Sequence, residues 1–129
     1  VICGIDIDEV CVKHLESLEQ ALIIEWSSYY PILKWLLHVP NGGSRTKTEA
    51  ARLKREGVRA GVSDLFLPLP AGGYHGLWLE LKKRKRDDGG KVSKNQSDFL
   101  EAMREQGYKA VVCYGADSAI RVIKEYAGI

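Results

Sequence analysis

Between Asp64 and Lys82 the chain reads DLFLPLPAGGYHGLWLELK. Two apolar runs, at 64–69 and 74–82, flank a Pro- and Gly-rich break at 70–73, which constrains this stretch to an antiparallel hairpin. The loop centres near Gly72, so an even register sets Asp64 opposite Glu80. Residues paired across two strands point to the same face, and side chains alternate along each strand. Glu80 and Lys82 therefore share the face of Asp64, while Leu77, Leu79 and Leu81 take the other face and enter the core. Like charges directly across a strand pair are destabilising. A hard divalent cation removes that conflict, because Mg²⁺ binds carboxylate oxygens and keeps several waters. Lys82 can then assist an attacking water or stabilise charge that builds on a phosphate. Without a cation, the same residues amount to a surface Glu–Lys pair beside a turn-starting Asp.

The remaining segments alternate in type. Leu15, Leu18, Leu22, Trp26 and Tyr29 recur at helical spacing, predicting a first helix that Asp8 caps, that runs to about Tyr30 and that Pro31 ends. A short strand is expected at 36–39, before the Pro-Asn-Gly-Gly turn at 40–43. Residues 46–56 read as a helix with Gly57 just past its end. Beyond the hairpin come a loop at 87–90, a helix at 93–106 capped by Ser93 and closed by Gly107, a strand at 109–114 and a helix at 116–126. Helices interleaved with strands predict an α/β fold, a mixed sheet with helices on both sides.

Length and charge narrow the class. The 129 residues are 45% hydrophobic, enough for a single domain, 1–129, with a real core. No apolar run reaches the length of a membrane span, and residues 1–8 read as an opening strand or lead-in rather than a targeting segment. Cys3, Cys11 and Cys113 lack metal-ligand spacing and are expected as reduced thiols of a cytosolic protein. His14, His38 and His75 form no zinc pattern. The net charge of +2 is unevenly spread. Residues 1–37 are acidic, whereas 44–62 hold six bases against two acids and 82–94 hold seven against two. Two basic blocks around an acidic hairpin suggest a polyanion surface.

The segment 57–82, with GVRAGVSDLFL followed by YHGLWLELK, resembles the PD-(D/E)XK nuclease superfamily, and more narrowly the VRR-NUC family of virus-type replication-repair nucleases. PNGGSRT at 40–46, ARLKREG at 51–57 and SKNQSDFLEAMREQGYKAVV from Ser93 extend the likeness over nearly the whole chain. The resemblance implies a restriction-endonuclease-like core, Mg²⁺ or Mn²⁺ dependence and phosphodiester hydrolysis. It implies that Asp64 and Glu80 bind metal, with the Leu81 carbonyl completing the shell, and that Lys82 acts at the water or the phosphate. It also implies a Glu on the first helix four residues before a Gln, which Glu16 and Gln20 match; Glu19, in the same turn, is the second candidate. Gln96 matches a family Gln that positions the water or touches phosphate. Asn41, Gly42, Gly43 and Arg45 form a turn that the resemblance makes substrate-contacting. Ser63 stands where the family commonly has Pro.

Phosphate contacts supply most non-specific affinity for nucleic acid. Arg45, Lys47, Arg52, Lys54, Arg55 and Arg59 form one expected wall, and Lys83, Arg84, Lys85 and Arg86 the other. Few aromatics interleave these runs, so backbone and shape reading of duplex or branched DNA is favoured over base stacking. The apolar excess of 21–37 predicts a two-fold homodimer. By resemblance to stand-alone viral and bacterial members, such a dimer would resolve four-way (Holliday) junctions. A DNA-binding module without catalysis, a nuclease of flaps or linear duplex, and a restriction enzyme are the competing readings. Intact Asp64, Glu80 and Lys82 count against the first, and the lack of room for a target-recognition region counts against the last.

Overall fold

The computed structural model describes residues 7–40, 46–84 and 91–129, with the side chains of the first helix described from Ser17 onward. Among these residues lie helices α1 (Ile7–Ser27), α2 (Lys47–Arg55), α3 (Lys94–Glu105) and α4 (Ala116–Ala127). The strands are β1 (Leu37–His38), β2 (Leu65–Leu67), β3 (Leu77–Lys82) and β4 (Lys109–Tyr114). They form one sheet in the order β1-β2-β3-β4, antiparallel up to β3 and parallel from β3 to β4. This is the expected mixed α/β sheet with helices on both sides.

The hairpin has the expected register: Leu65 pairs with Leu79 and Leu67 with Leu77, which carries Asp64 to the position opposite Glu80. Its tip is tighter than a single loop. Ala71 and Tyr74 exchange backbone hydrogen bonds of 2.9 and 3.2 Å around Gly72 and Gly73, both at positive φ. The strand expected from Tyr74 begins only at Leu77, because the His75 N–H turns away to donate to the Gly107 carbonyl at 3.0 Å.

The odd-numbered residues of β3 face α1 and α4. Leu77, Leu79 and Leu81 join Leu65, Leu67, Ile23, Ala119, Ile123 and Tyr126 in the main core cluster. The even-numbered face meets α3, where the Trp78 ring sits edge-on to Phe99 at 5.0 Å and stacks on Phe66 at 4.2 Å. Because α3 covers that face, Glu80 and Lys82 are buried as well, at 2% and 9% exposure.

Both ends of the first helix differ from expectation. Asp8 lies within the first turn of α1 rather than capping it. At the other end α1 stops at Ser27, short of Tyr30. The Ser27 and Ser28 hydroxyls donate back to the carbonyls of Ile24 and Glu25, and the residue before Pro31 is held extended, with Tyr30 at φ −121°. A short 3₁₀ turn, Pro31–Leu33, follows and buries Leu33.

Candidate active site

Three segments meet at the C-terminal end of β3. The first is the approach to β2. Gly61 lies at φ +90°, and a Cβ there would stand 2.3 Å from the Asn95 carbonyl oxygen. Only glycine lets the backbone pass this close to the start of α3. Three residues later, Asp64 is fixed from both sides. Its carbonyl accepts from the Val39 N–H at 2.9 Å and lies 2.8 Å from His38 Nδ1, and its Oδ2 accepts from the Leu81 N–H at 2.7 Å. The aspartate side chain thus takes the place of a ladder carbonyl just before β2 begins.

The second segment is β3 itself. The carbonyls of Gly76 and Lys82 accept from Lys109 and Gly115, on the β4 side. Backbone groups alternate sides along a strand, so the Leu81 carbonyl turns toward the β2 side, where Asp64 lies.

The third is α3, which Ser93 opens with a capping box completed by Gln96. Gln96 Oε1 accepts from the Ser93 N–H at 2.9 Å and from Lys82 Nζ at 2.9 Å. Its Nε2 donates to Glu80 Oε1 at 2.8 Å, and Lys82 Nζ stands 3.4 Å from the same oxygen. A buried carboxylate and a buried ammonium are thereby held together by one amide. Charge-assisted hydrogen bonds of this kind are the strong ones, and they act against the cost of desolvating both groups.

The structure brings Asp64, Glu80, Leu81, Lys82 and Gln96 together. Glu16 lies on α1 with its side chain outside the described residues. Glu19 is buried at 3% exposure. Its Oε1 accepts from Arg84 Nε at 2.8 Å and from the Ala116 N–H at 3.3 Å, while Oε2 is buried without a hydrogen-bond partner. Gly115, the N-cap of α4, has no side chain to offer that helix, and Glu19 fills the role from α1. Arg84 also donates to Asp117 at 3.2 Å. The Glu19 hydrogen bond, then the charge of Asp117, hold its guanidinium above its ordinary pKa. The Glu19–Arg84–Asp117 bridge was not legible in the sequence, because its members come from three distant segments. The part played by Gly61 had one visible signal, its place three residues before Asp64.

The basic walls are partly in view. Lys47, Lys54 and Arg55 are exposed on α2, Arg52 forms an exposed ion pair with Glu56 at 3.0 Å, and Arg59 follows on the path to Gly61. Lys83 and Arg84 leave the end of β3 exposed. Asn41, Gly42, Gly43, Arg45, Lys85 and Arg86 lie outside the described residues, as do Cys3 and the side chain of Cys11. Cys113 is a free thiol with no exposure, and burial pushes its pKa up to about 11.

The sequence profile of the VRR-NUC domain matches residues 13–117. This chain belongs to the VRR-NUC family. A solved VRR_NUC domain protein is 34% identical, with 86% of each chain covered and a TM-score of 0.75. Among curated proteins, no sequence matches this chain. A VRR-NUC domain is a nuclease-type, DNA-processing domain, and nucleases of this family usually depend on a divalent metal. Among the described residues no helix is long and apolar enough to cross a membrane. No cluster of three or more His, Cys, Asp or Glu side chains stands ready for a metal among those residues either. The oxygen donors gathered at the end of β3 are instead two carboxylates, Asp64 and Glu80, beside one backbone carbonyl, Leu81.

Proposed function

We propose that this VRR-NUC domain is a metal-dependent DNA endonuclease whose site is Asp64, Glu80, Lys82 and Gln96. The observation that carries the reading is the Gln96 amide. It holds Glu80 and Lys82 on one strand face, directly across the hairpin from Asp64. The donor chemistry fits a hard cation, since carboxylate and carbonyl oxygens are what Mg²⁺ and Mn²⁺ prefer. Asp64, Glu80 and the Leu81 carbonyl would hold it, with Glu16 as a further carboxylate from α1. When bound, it neutralises phosphate charge and lowers the pKa of a coordinated water.

The protein's own residues supply the rest. The Leu81 N–H keeps one Asp64 oxygen fixed and so orients the other. Gln96 keeps the Lys82 ammonium on the substrate side of Glu80, where it can meet the scissile phosphate and stabilise the charge that grows there. A water attacks phosphorus and gives up a proton, the P–O bond to the leaving nucleotide breaks, and the departing oxygen takes up a proton, so that none is gained or lost overall. Lys47, Lys54, Arg55 and Arg59 on one side, and Lys83 and Arg84 on the other, would hold flanking phosphates, with Asn41, Gly42, Gly43, Arg45, Lys85 and Arg86 continuing these walls.

A homodimer acting on branched or four-way DNA is the finer reading. Leu18, Leu22, Tyr29, Ile32, Trp35 and Leu37 are all at least 42% exposed and belong to α1, the segment that follows it and the edge strand β1. Two sites related by a two-fold axis suit paired cuts. The test is incubation with linear, flap and four-way DNA in Mg²⁺ and in EDTA. Metal-dependent cleavage is expected, strongest on branched DNA, and Asp64→Asn or Glu80→Gln should abolish it while retaining the fold and most DNA binding. Cleavage by either variant at the wild-type rate would remove these residues from the site.

A further inference from the structure

The path from α2 to Asp64 borders a cleft of about 540 Å³ lined by Ala50, Leu53, Lys54, Val58, Arg59 and Asn95, among others. We infer that this cleft receives one unpaired nucleotide of the DNA strand, its base against Ala50, Leu53 and Val58 and its phosphate on Lys54 and Arg59. The inference rests on the nuclease reading of the adjoining site and adds what that site selects.

Three features argue for a nucleotide rather than a phosphate alone. The volume lies in the range of small-molecule pockets, roughly 300–1,000 Å³, far more than a phosphate fills. Much of the lining is aliphatic, which a phosphate does not use and the face of a base does. Asn95, an exposed residue of the lining, has a side chain with both a donor and an acceptor, as the edge of a base requires. At Gly57, which also lines the cleft, nothing lies within 4 Å of where a Cβ would be, so the space is open there.

The placement joins the cleft to the chemistry. Asn95 precedes Gln96, which holds Glu80 and Lys82. Its carbonyl touches the backbone at Gly61, which leads to Asp64. A nucleotide in the cleft therefore lies next to the strand whose phosphate meets Lys82. A paired base must leave its stack to enter, which costs a few kcal/mol in intact duplex and least where the base is already unpaired. The cleft would thus favour flaps, junction arms and single-stranded ends over continuous duplex, without reading sequence.

The experiment is a ¹H–¹⁵N NMR titration in EDTA with deoxyadenosine monophosphate, deoxyribose 5-phosphate and inorganic phosphate. The nucleotide should shift the Asn95 side-chain amide and the backbone amides of 57–60 saturably, at least tenfold more tightly than either sugar phosphate or phosphate. Ala50→Trp fills the cleft from α2, a helix with no buried residue, and should weaken nucleotide binding at least tenfold. Ala60→Leu is a second filling variant, and the spectra themselves report whether each variant is folded. Equal shifts from inorganic phosphate would reduce the cleft to an anion anchor and overturn the inference. So would the absence of saturable shifts, or undiminished binding by a folded filling variant. Because no cleavage is measured, nucleotide binding by a protein that cuts no DNA would reject the nuclease reading and leave the cleft standing. DNA cleavage without nucleotide binding would do the reverse.

Discussion

The orientation of the Gln96 amide is decided by its neighbours. Ser93 N–H and Lys82 Nζ are both donors and must meet the amide oxygen, so the amide nitrogen must face Glu80. Gln96→Glu keeps the acceptor for Ser93 and Lys82 but sets an oxygen against the Glu80 carboxylate. It should destabilise the domain by roughly 1–3 kcal/mol at neutral pH, the usual cost of a lost charge-assisted contact. The loss should shrink as acidification protonates one carboxylate and restores a donor. Thermal melts at neutral and acidic pH read this directly; a variant that melts like the wild type at neutral pH contradicts the network. Cys113 gives a second residue-scale expectation, at the alkaline end. Burial raises its thiol pKa from 9.0 to about 11, so the folded state favours the neutral form. That stabilisation is complete below pH 9, and it is lost as pH rises through 11, by up to about 2–3 kcal/mol. Cys113→Ala should therefore lose stability less steeply than the wild type between pH 8 and pH 10.5 in denaturant titrations. Identical pH slopes would mean that Cys113 does not titrate with unfolding.

At the scale of elements, the site depends on a loop touching the first turn of a helix. The contact of Gly61 with Asn95 joins the approach of Asp64 to the helix that carries Gln96. Gly61→Ala adds a Cβ 2.3 Å from a backbone oxygen at φ +90°, so both steric overlap and backbone strain oppose it. The expected loss is on the order of 3 kcal/mol, with DNA cleavage falling further than stability alone explains because Asp64 and Gln96 shift relative to each other. Urea unfolding beside cleavage at a temperature where the variant remains folded measures both. Wild-type stability in Gly61→Ala would show that the loop stands off the helix. The basic helix α2 behaves differently. It has no buried residue, its Thr46 hydroxyl accepts from the Glu49 N–H at 3.1 Å as an N-cap, and its cations are exposed rather than built into the core.

At the scale of the molecule, the structure sorts the apolar segment at 21–37. Ile23, Leu33 and Leu36 are buried, and Trp26 packs against the core with its ring 5.1 Å from Tyr30. Trp35 is 68% exposed, with Lys34 Nζ 5.3 Å from its ring. The two tryptophans are therefore different probes of assembly. Trp35→Glu should convert a micromolar dimer to the 14.4 kDa monomer with little loss of fold, whereas Trp26→Glu should unfold the domain as well. Sedimentation equilibrium with circular dichroism separates the outcomes. A wild-type protein that stays monomeric throughout the micromolar range would reject the dimer.

The sequence alone determined what depends on near neighbours. The alternation of LWLELK, the loop after Leu69 and the register they impose placed Glu80 and Lys82 on one face and Asp64 opposite, because a strand's period of two leaves one register that buries the leucines. Ser93 and Gln96, three residues apart, marked the start of α3 for the same local reason. Tertiary structure decided the contacts between distant segments. Nothing near Glu19 in the chain shows that it meets Arg84 and the first turn of α4, and nothing near Gln96 shows that its amide spans two charges on β3. The burial of Glu80 and Lys82, the split between Trp26 and Trp35 and the cleft beside Asn95 belong to the same class. Each depends on which helix covers which face of the sheet, and that is fixed by packing the whole chain around one core rather than by the periodicity of any one segment.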